Sequence, residues 1–437
     1  MKNKYLVGIM LFFIVILIFN SNYQGSAIRS IEGVKEETFN NIDPISGPSQ
    51  QQAIITIPPS NIDVVPIQCS TPHNLNPTGP SATRGPEFGG FDGRYTVLAP
   101  GVLVPHLYDA GPNNLYGDYD DSTLTAMFPA YNFYSYAKVD NDLVVYVGML
   151  SPFFSSNYIA SCLAQSCVSN PPNLILTSAA GSIYQALDVS QNRIAYAEAS
   201  QNFPTQANIG IVNLNTGVNN IVYTITTSSG GPLNVNDIEL ENNYIAVEYQ
   251  DGIFTPRHVL IYDLNSNQVI FNSPNLEATR DPRLTYAGAN TYYFTVRTIP
   301  PFTGLSITLY QIVNGVVSTG NSIAPPNPGT FPSALYLHSY NGGISYDATN
   351  NALKLFYSIN HTLFVHRIDL ATNAQTILSV PTPQPSVLVS QYNMFIPVDI
   401  DGNTNNILFK AGYGIPQFGL PPTVPQFLHL FVSNCEL

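Results

Sequence analysis

The sequence predicts an all-β fold, a β-propeller of about seven four-stranded antiparallel blades. The first observation behind this prediction is the strand pattern. Beyond residue 93, short runs rich in Val, Ile, Tyr and Thr alternate with polar residues and end at Gly, Asn, Pro or Asp, and no helical period is sustained. Secondly, the strands recur in a unit of roughly 50 residues, the length of a propeller blade. Finally, the two ends of the chain each hold part of one incomplete unit.

The repeat is clearest in the neighbouring segments 186–225 and 236–271. Each gives a strand, a tight polar turn, a strand containing Ile-Ala, a longer loop, a third strand ending in Asn-Leu or Asp-Leu, and a fourth strand. The third-strand position recurs at intervals of 48 to 62 residues, at Leu107, Leu163, Leu214, Leu264, Ile312, Leu370 and Val432. Repeats of about 40 to 50 residues with four strands each are typical of propellers. The match at Leu107 is the weakest, so six and eight blades remain alternatives.

A string of β-sandwich domains is the rival architecture, because it would also give short alternating strands. A sandwich closes over about 100 residues and needs no internal unit of half that size. The blade-length period therefore favours the propeller.

The last repeat, from about residue 386, has three strands and then ends within three residues of Asn434. The run 62–68 (IDVVPIQ) is a free strand at the other end of the chain. We expect this run to form an N-terminal strand that pairs with residues 427–434 and completes the last blade, because an open edge invites aggregation. A disulfide from Cys69 to Cys435 would then lock the closure.

The two remaining cysteines, Cys162 and Cys167, are expected to bridge each other at the turn between the third and fourth strands of an early blade. A zinc site built from Cys69, Cys435 and nearby histidines is the alternative. A second close cysteine pair is lacking, which favours disulfides.

The N-terminus has the layout of a secretory signal peptide over residues 1–27. Lys2 and Lys4 precede an apolar run from Tyr5 to Phe19, and small residues end the segment at Ala27. An uncleaved membrane anchor is the alternative, although the run is shorter than the roughly 20 apolar residues of a comfortable span. Residues 28–60 are rich in Pro, Ser, Gln and Asn and predict a polar linker or stalk, and residues 61–437 predict the propeller.

Charged residues make up only 10% of the chain, and the formal net charge is −13. A surface of Asn, Ser, Thr, Gln and Tyr suits a secreted or cell-surface protein. The negative charge argues against nucleic acid as a partner, and it leaves an uncleaved N-terminal segment as the one route to a membrane.

One third strand ends in Tyr262-Asp263-Leu264-Asn265 before a tight turn. In this respect the chain, from about residue 93 onwards, resembles the broad group of extracellular and periplasmic β-propeller repeat proteins. The resemblance implies a fold and assigns no catalytic residue, because such propellers include scaffolds, ligand binders and enzymes.

Two oxygen-rich segments are candidate calcium sites, since Ca²⁺ takes six to eight oxygen ligands. One is the loop that holds Asp118, Asp120 and Asp121. The other has alternating Asp399, Asp401 and Asn403. A solvated surface loop explains the first segment and a hairpin turn explains the second without a metal, and we favour both of these alternatives.

Catalytic motifs are missing from the sequence: it has no nucleophile elbow, phosphate-binding loop or zinc-binding helix motif. Asp281, flanked by Arg280 and Arg283, predicts either an anion site on one rim or a salt-bridged loop. The sequon at Asn360 predicts N-glycosylation.

We therefore expect an exported, non-enzymatic β-propeller without a cofactor, which binds an extracellular protein or carbohydrate through loops gathered on one face. One alternative is a polysaccharide hydrolase or lyase with a carboxylate pair at the channel mouth. A second alternative is an envelope or assembly subunit.

Overall fold

A computed structural model describes most of the chain beyond residue 63. The described residues are 64–75, 89–98, 106–116, 122–124, 133–149, 157–167, 172–228, 230–252, 255–273, 278–299, 306–318, 320–323, 340–359, 362–381, 394–414 and 425–437. The domain boundaries predicted at residues 27 and 60 lie outside them. No helix among the described residues is long and apolar enough to cross a membrane.

Seven antiparallel sheets follow one another along the chain, each with its strands in sequence order. Two short strands precede them, β1 (Val64–Pro66) and β2 (His73–Asn74). Blade 1 contains β3 (Gly89–Phe91), β4 (Tyr95–Leu98), β5 (His106–Asp109) and β6 (Ser122–Leu124); blade 2 contains β7 (Phe133–Asp140), β8 (Leu143–Met149), β9 (Asn157–Leu163) and β10 (Asn173–Thr177). Blade 3 contains β11 (Ser182–Ser190), β12 (Arg193–Ser200), β13 (Gln206–Asn213) and β14 (Val218–Thr226); blade 4 contains β15 (Leu233–Glu241), β16 (Tyr244–Asp251), β17 (Arg257–Asp263) and β18 (Gln268–Asn272).

The remaining strands build three further blades. Blade 5 contains β19 (Ala278–Tyr286), β20 (Thr291–Ile299), β21 (Ser306–Val313), β22 (Val316–Val317) and β23 (Asn321–Ile323); blade 6 contains β24 (Tyr340–Asp347), β25 (Ala352–Ile359), β26 (Thr362–Asp369) and β27 (Gln375–Ser379); blade 7 contains β28 (Met394–Asp401), β29 (Asn406–Gly414) and β30 (Pro425–Asn434). The protein is thus a seven-bladed β-propeller, as predicted. All seven recurring positions lie in the third strand of a blade or directly after it.

Buried apolar side chains close the blades into a ring. The described core falls into seven clusters, and each cluster joins two neighbouring blades. The cluster between blades 7 and 1 contains Val398 and Val432 from blade 7 and Phe91 from blade 1. Each sheet therefore packs on both faces, which a string of two-sheet sandwiches would not do.

The last blade is completed by an N-terminal strand, as predicted, although the strand is a different one. β2 pairs antiparallel with β30, so that His73 lies opposite Val432. The run before Cys69 was expected in this place. Instead, β1 pairs in parallel with β27 and forms a fifth strand on blade 6. The two-residue β2 has no strand pattern of its own, which explains why the sequence favoured the Val-rich run.

Both predicted disulfides are present. Cys69–Cys435 spans 366 residues and ties β2 and its approach to the end of β30. Cys162–Cys167 closes the turn between the third and fourth strands of blade 2. All four cysteines are paired.

Candidate functional site

Charged side chains from the innermost strands of four blades meet in the centre of the ring. Lys138 Nζ of blade 2 lies 3.8 Å from Asp188 Oδ1 of blade 3 and 3.6 Å from Glu239 Oε1 of blade 4. Arg283 of blade 5 completes the group, since its Nη1 lies 2.7 Å from Glu239 Oε1 and 2.8 Å from Asp237 Oδ2. Blades 2 and 4 are not neighbours, so this contact crosses the central channel. We call these five residues the channel network.

A sixth ionisable residue, Asp399 of blade 7, interacts electrostatically with Glu239, Arg283 and Lys138 of the channel network. Burial raises the pKa of Asp399 to about 7, and Glu239 raises it further, while Arg283 and Lys138 oppose the shift. Burial also raises the pKa of Asp188 well above its usual value. Within the channel network and Asp399, carboxyl groups therefore outnumber cations, and burial favours the protonated, uncharged form of Asp399 and Asp188.

An irregularity of the inner strands aims these side chains into the channel. The first strand of each blade from 2 to 7 carries one extra residue against its neighbour. The shifts lie within Tyr134–Tyr136, Tyr184–Ala186, Val235–Asp237, Arg280–Arg283, Asn341–Gly343 and Pro397–Asp399. A bulge re-aims the side chains beside it. Asp237, Arg283 and Asp399 each follow a bulge directly.

Blades 1 and 6 contribute backbone in place of side chains. A Cβ on Gly90 would lie 2.6 Å from Lys138 Cα, and a Cβ on Gly343 would lie 2.8 Å from Asp399 Oδ1. Both distances are shorter than real contacts allow. Glycine therefore lets these inner strands approach the charged residues of the next blade.

A second ionic group lies between blades 4 and 5. Glu248 Oε1 accepts from Arg257 Nη1 at 2.5 Å, and Glu248 Oε2 accepts from the Asp281 amide at 2.7 Å. Asp281 in turn lies 2.8 Å from Arg297 Nε. Burial raises the pKa of Glu248 to about 7. Asp281 is therefore salt-bridged, but its partner is Arg297 and it lies in the bulge of β19 and not in a loop, whereas Arg283 belongs to the channel network.

Further carboxylates end the inner strands at one mouth of the channel. Burial raises the pKa of Asp92 to about 6, and Asp140 and Asp401 raise it further. Burial likewise raises the pKa of Glu241 to about 7. These groups also order the turns, because Asp92 Oδ1 accepts from the Tyr95 amide at 2.6 Å and Asp140 Oδ2 accepts from the Gln191 amide at 2.8 Å. This mouth lies on the face with the tight turns between first and second strands, the turn face.

The structure describes only one of the two candidate calcium segments. Asp118, Asp120 and Asp121 lie outside the described residues, as does the sequon at Asn360. Asp401 Oδ2 accepts from Thr404 Oγ1 at 2.6 Å and Asp401 Oδ1 from the Asn403 amide at 3.0 Å, within the hairpin turn that joins β28 to β29. No group of three or more metal-binding side chains occurs in the described part of the chain. Calcium binding stays a prediction.

The opposite face of the ring carries the longer connections between second and third strands, and we call it the loop face. The connection at 201–205 is described in full. Its Phe203 is 81% exposed and adopts φ 48°, a left-handed conformation that is rare for a bulky residue. The loop is held in place because the Leu233 amide donates to Pro204 O at 2.7 Å and the Thr227 amide to Thr205 O at 2.9 Å. Hydrogen bonds thus hold the backbone of the loop, and the Phe203 ring projects from it into solvent.

The sequence repeats this feature in other blades. The corresponding connections contain Phe153 and Phe154 in blade 2, Phe254 in blade 4 and Phe302 in blade 5. Loops at equivalent positions of a ring of blades lie on the same face. These four residues lie outside the described part of the chain.

Together, these features define a disulfide-closed seven-bladed β-propeller with a charged channel and an exposed phenylalanine, Phe203, on its loop face. No protein-family model matches the chain, and no curated protein matches it. Among solved structures, the chain is similar to prolyl oligopeptidase B from Galerina marginata, with 12% identity over 85% of this chain and 52% of that chain and a TM-score of 0.48. It is also similar to the β-propeller domain of the Trilobed protease from Pyrococcus furiosus, with 12% identity over 65% and 80% of the two chains and a TM-score of 0.39.

A third similar structure is TolB from Acinetobacter baumannii, with 15% identity over 67% of this chain and 64% of that chain and a TM-score of 0.33. Similarities at this level of sequence identity concern the fold and do not assign a function to this chain.

Proposed function

We propose that this protein is an exported β-propeller, either secreted or held at the cell surface. It binds an extracellular protein or carbohydrate through its loop face and catalyses no reaction. The exposed ring of Phe203 on a firmly held loop is the observation that carries the proposal. A bulky residue at positive φ costs of order 1–3 kcal/mol and tends to occur where function requires it. Aromatic residues, phenylalanine among them, are also enriched in the core of binding interfaces.

Export is supported by the cysteine chemistry and by the N-terminal sequence. Two disulfides that pair all four cysteines suit an oxidising compartment. The signal-like segment at residues 1–27 agrees with them. Intact-mass analysis of protein recovered from the medium would test export, with a new N-terminus after Ala27 and a glycan on Asn360 expected. An N-terminus at Met1 in the membrane fraction would favour the anchor.

The absence of catalysis is supported by the internal pairing of the channel carboxylates. Asp188, Asp237 and Glu239 each lie within an ion-pair distance of Lys138 or Arg283. A hydrolase needs carboxylates that are free to give a proton to the substrate and to attack it or activate water. The paired arrangement is better suited to holding the blades together.

The binding test compares three forms of the protein on an extracellular glycan array and on intact cells: the wild type, Phe203→Ala, and Tyr286→Ala as a control. Tyr286 is also an exposed aromatic residue, at 37%, but it lies on the turn face. We expect Phe203→Ala to weaken binding by roughly 30-fold, a hot-spot loss of about 2 kcal/mol, and Tyr286→Ala to bind as the wild type does. Equal binding by Phe203→Ala would refute the role of the loop face, and failure to find any partner would count against the binding function.

The polysaccharide hydrolase remains the second candidate because the described channel is lined with charge and not with an apolar plug. Asp399, with a pKa of about 7, would be its acid. Glu239 would be the partner carboxylate and would have to leave its ion pairs with Lys138 and Arg283 to act. Reducing ends released from extracellular polysaccharides by the wild type, and lost in Asp399→Asn, would establish this function in place of the first.

A further inference from the structure

The outer half of blades 2 and 3 has an unusual composition. From Leu143 to Asn236 the only charged residues are Asp188, Arg193 and Glu198, and all three lie on the first and second strands of blade 3. The third and fourth strands of both blades, β9, β10, β13 and β14, have no charged residue. We call these four strands the uncharged rim.

Large apolar side chains are exposed on this rim. Leu163 is 60% exposed and Leu174 61% on blade 2, and Val218 is 49% exposed and Ile221 50% on blade 3. Single exposed apolar residues are ordinary, but several together on an uncharged surface mark a site of protein association.

The outermost strand of blade 3 adds an exposed edge. The second half of β14 is covered by blade 4, since Tyr262 Oη donates to Val222 O at 2.8 Å and the Tyr223 and Tyr262 rings lie 5.5 Å apart. The first half, Val218–Ile221, is exposed throughout. Within the described residues no strand pairs with the outer edge of β14. It has none of the charges or prolines that protect edge strands from pairing.

Blade 6 shows that an outer edge of this ring can accept an added strand, since β1 pairs with β27 as a fifth strand. The outer edges of blades 2 and 4 are also unpaired within the described residues, but the middle residues of β10 and β18 are half-buried, whereas Val218–Ile221 is exposed throughout. Of these three edges, that of β14 is therefore the most open to an occupant.

We propose that this occupant is a second copy of the same chain, and that two molecules associate through the antiparallel pairing of the Val218–Ile221 edge with its own symmetry mate. Each copy carries a formal charge of −13, so most pairs of faces repel each other. The uncharged rim is the surface on which two copies meet with the least repulsion and bury no charge. Antiparallel pairing of one strand with its twin uses the same patch twice, as a two-fold interface requires.

The proposal goes beyond the binding function, because the rim lies at the circumference of the ring and not on its loop face. The proposed dimer and the proposed binding function can therefore be disproved separately.

The test measures the mass of the full secreted protein by light scattering and sedimentation over a wide concentration range. We expect a reversible monomer–dimer equilibrium in the wild type. Ile221→Lys should weaken it by at least about 10-fold, because each copy would then bury an ammonium group in an interface that offers no counter-charge. Val316→Lys is the matched control, since Val316 is 70% exposed on the outer strand of blade 5. It should dimerise as the wild type does.

A cross-linking experiment locates the contact independently of any effect on folding. The native cysteines are all paired, so a new thiol is the only free one. Single cysteines placed in turn at positions 218 to 221 should give a disulfide-linked dimer at one or two of them, and Val316→Cys should not. A wild type that stays monomeric at all concentrations would overturn the proposal. So would an Ile221→Lys dimer of unchanged strength, or a series without any cross-link.

Discussion

Lys138 of blade 2 lies 3.6 Å from Glu239 of blade 4, although blade 3 separates them in the ring. The ion pair therefore joins blades that share no interface, and it does so where the inner strands converge. We expect Lys138→Met to reduce the free energy of unfolding by about 3–5 kcal/mol, because Asp188 would lose its cationic partner and Glu239 would keep only Arg283. Denaturant unfolding followed by tyrosine fluorescence measures this.

The double variant Lys138→Met/Glu239→Gln is the control for this pair. If the charges interact as described, the double variant recovers part of the loss, and the two effects are not additive. Additive losses would mean that the two residues act separately.

Stability should rise as the pH falls from about 7 towards 4. Burial raises the pKa of Asp399 to about 7 in the folded protein, whereas an unfolded aspartate titrates near 4. Between these values the folded state binds the proton and the unfolded state does not, so protonation stabilises the fold. The gain is at most about 4 kcal/mol by this linkage. Glu241, with a pKa of about 7, adds a gain of the same sign.

The measurement is the melting temperature as a function of pH for the wild type and for Asp399→Asn. The variant should be more stable than the wild type at pH 8 and should show a flatter profile between pH 4 and 7. A steep unchanged profile in Asp399→Asn would assign the pH dependence to other groups.

The two disulfides should differ in their contribution to stability. In the loop-entropy description, the 366-residue loop closed by Cys69–Cys435 is worth about 6 kcal/mol and the five-residue loop of Cys162–Cys167 about 2 kcal/mol. Replacement of each pair by serine, followed by denaturant unfolding, compares them. Equal losses would show that the long disulfide does not act through closure of the ring.

Lys354, the single lysine in residues 340–379 of blade 6, should contribute strongly to stability. It is fully buried, and its Nζ lies 2.7 Å from Asp347 Oδ2 and donates to Asn405 Oδ1 of blade 7 at 2.8 Å. The Lys354 ammonium helps to lower the pKa of Asp347 to about 2. We expect Lys354→Met to cost about 3–5 kcal/mol at neutral pH.

The loss from Lys354→Met should shrink below about pH 3, where Asp347 is protonated in the variant. Urea unfolding at pH 7 and at pH 3 checks this. A loss that does not change with pH would point to packing and not to charge.

The repeat could be predicted from the sequence because each blade requires the same local pattern of strands and turns. Leu214 and Leu264 stand at equivalent positions, and the structure places both directly after the third strand of a blade. The Cys69–Cys435 closure could be predicted because a ring has to join its two ends. These features depend on patterns within one or two blades.

The channel network could not be predicted, because its partners come from different blades and their spacing in the sequence carries no motif. The signal that could have found it was the rarity of charge: in a chain with so few charged residues, Lys138, Asp188 and Glu239 all occur two residues before the end of an inner strand. The bulges that aim them are visible only in the register of the strands.

The attachment of β1 to blade 6 and the disulfide at Cys69 also determine how the molecule bears mechanical load. Tension applied to the chain ahead of Val64 first shears the parallel pairing between β1 and β27. It then reaches a covalent bond at Cys69 and passes through Cys435 to the end of β30. Blade 1 begins after this point, so the force bypasses it. A covalent bond, the Cys69–Cys435 disulfide, thus lies at the point where a pull on the N-terminal chain reaches the ring.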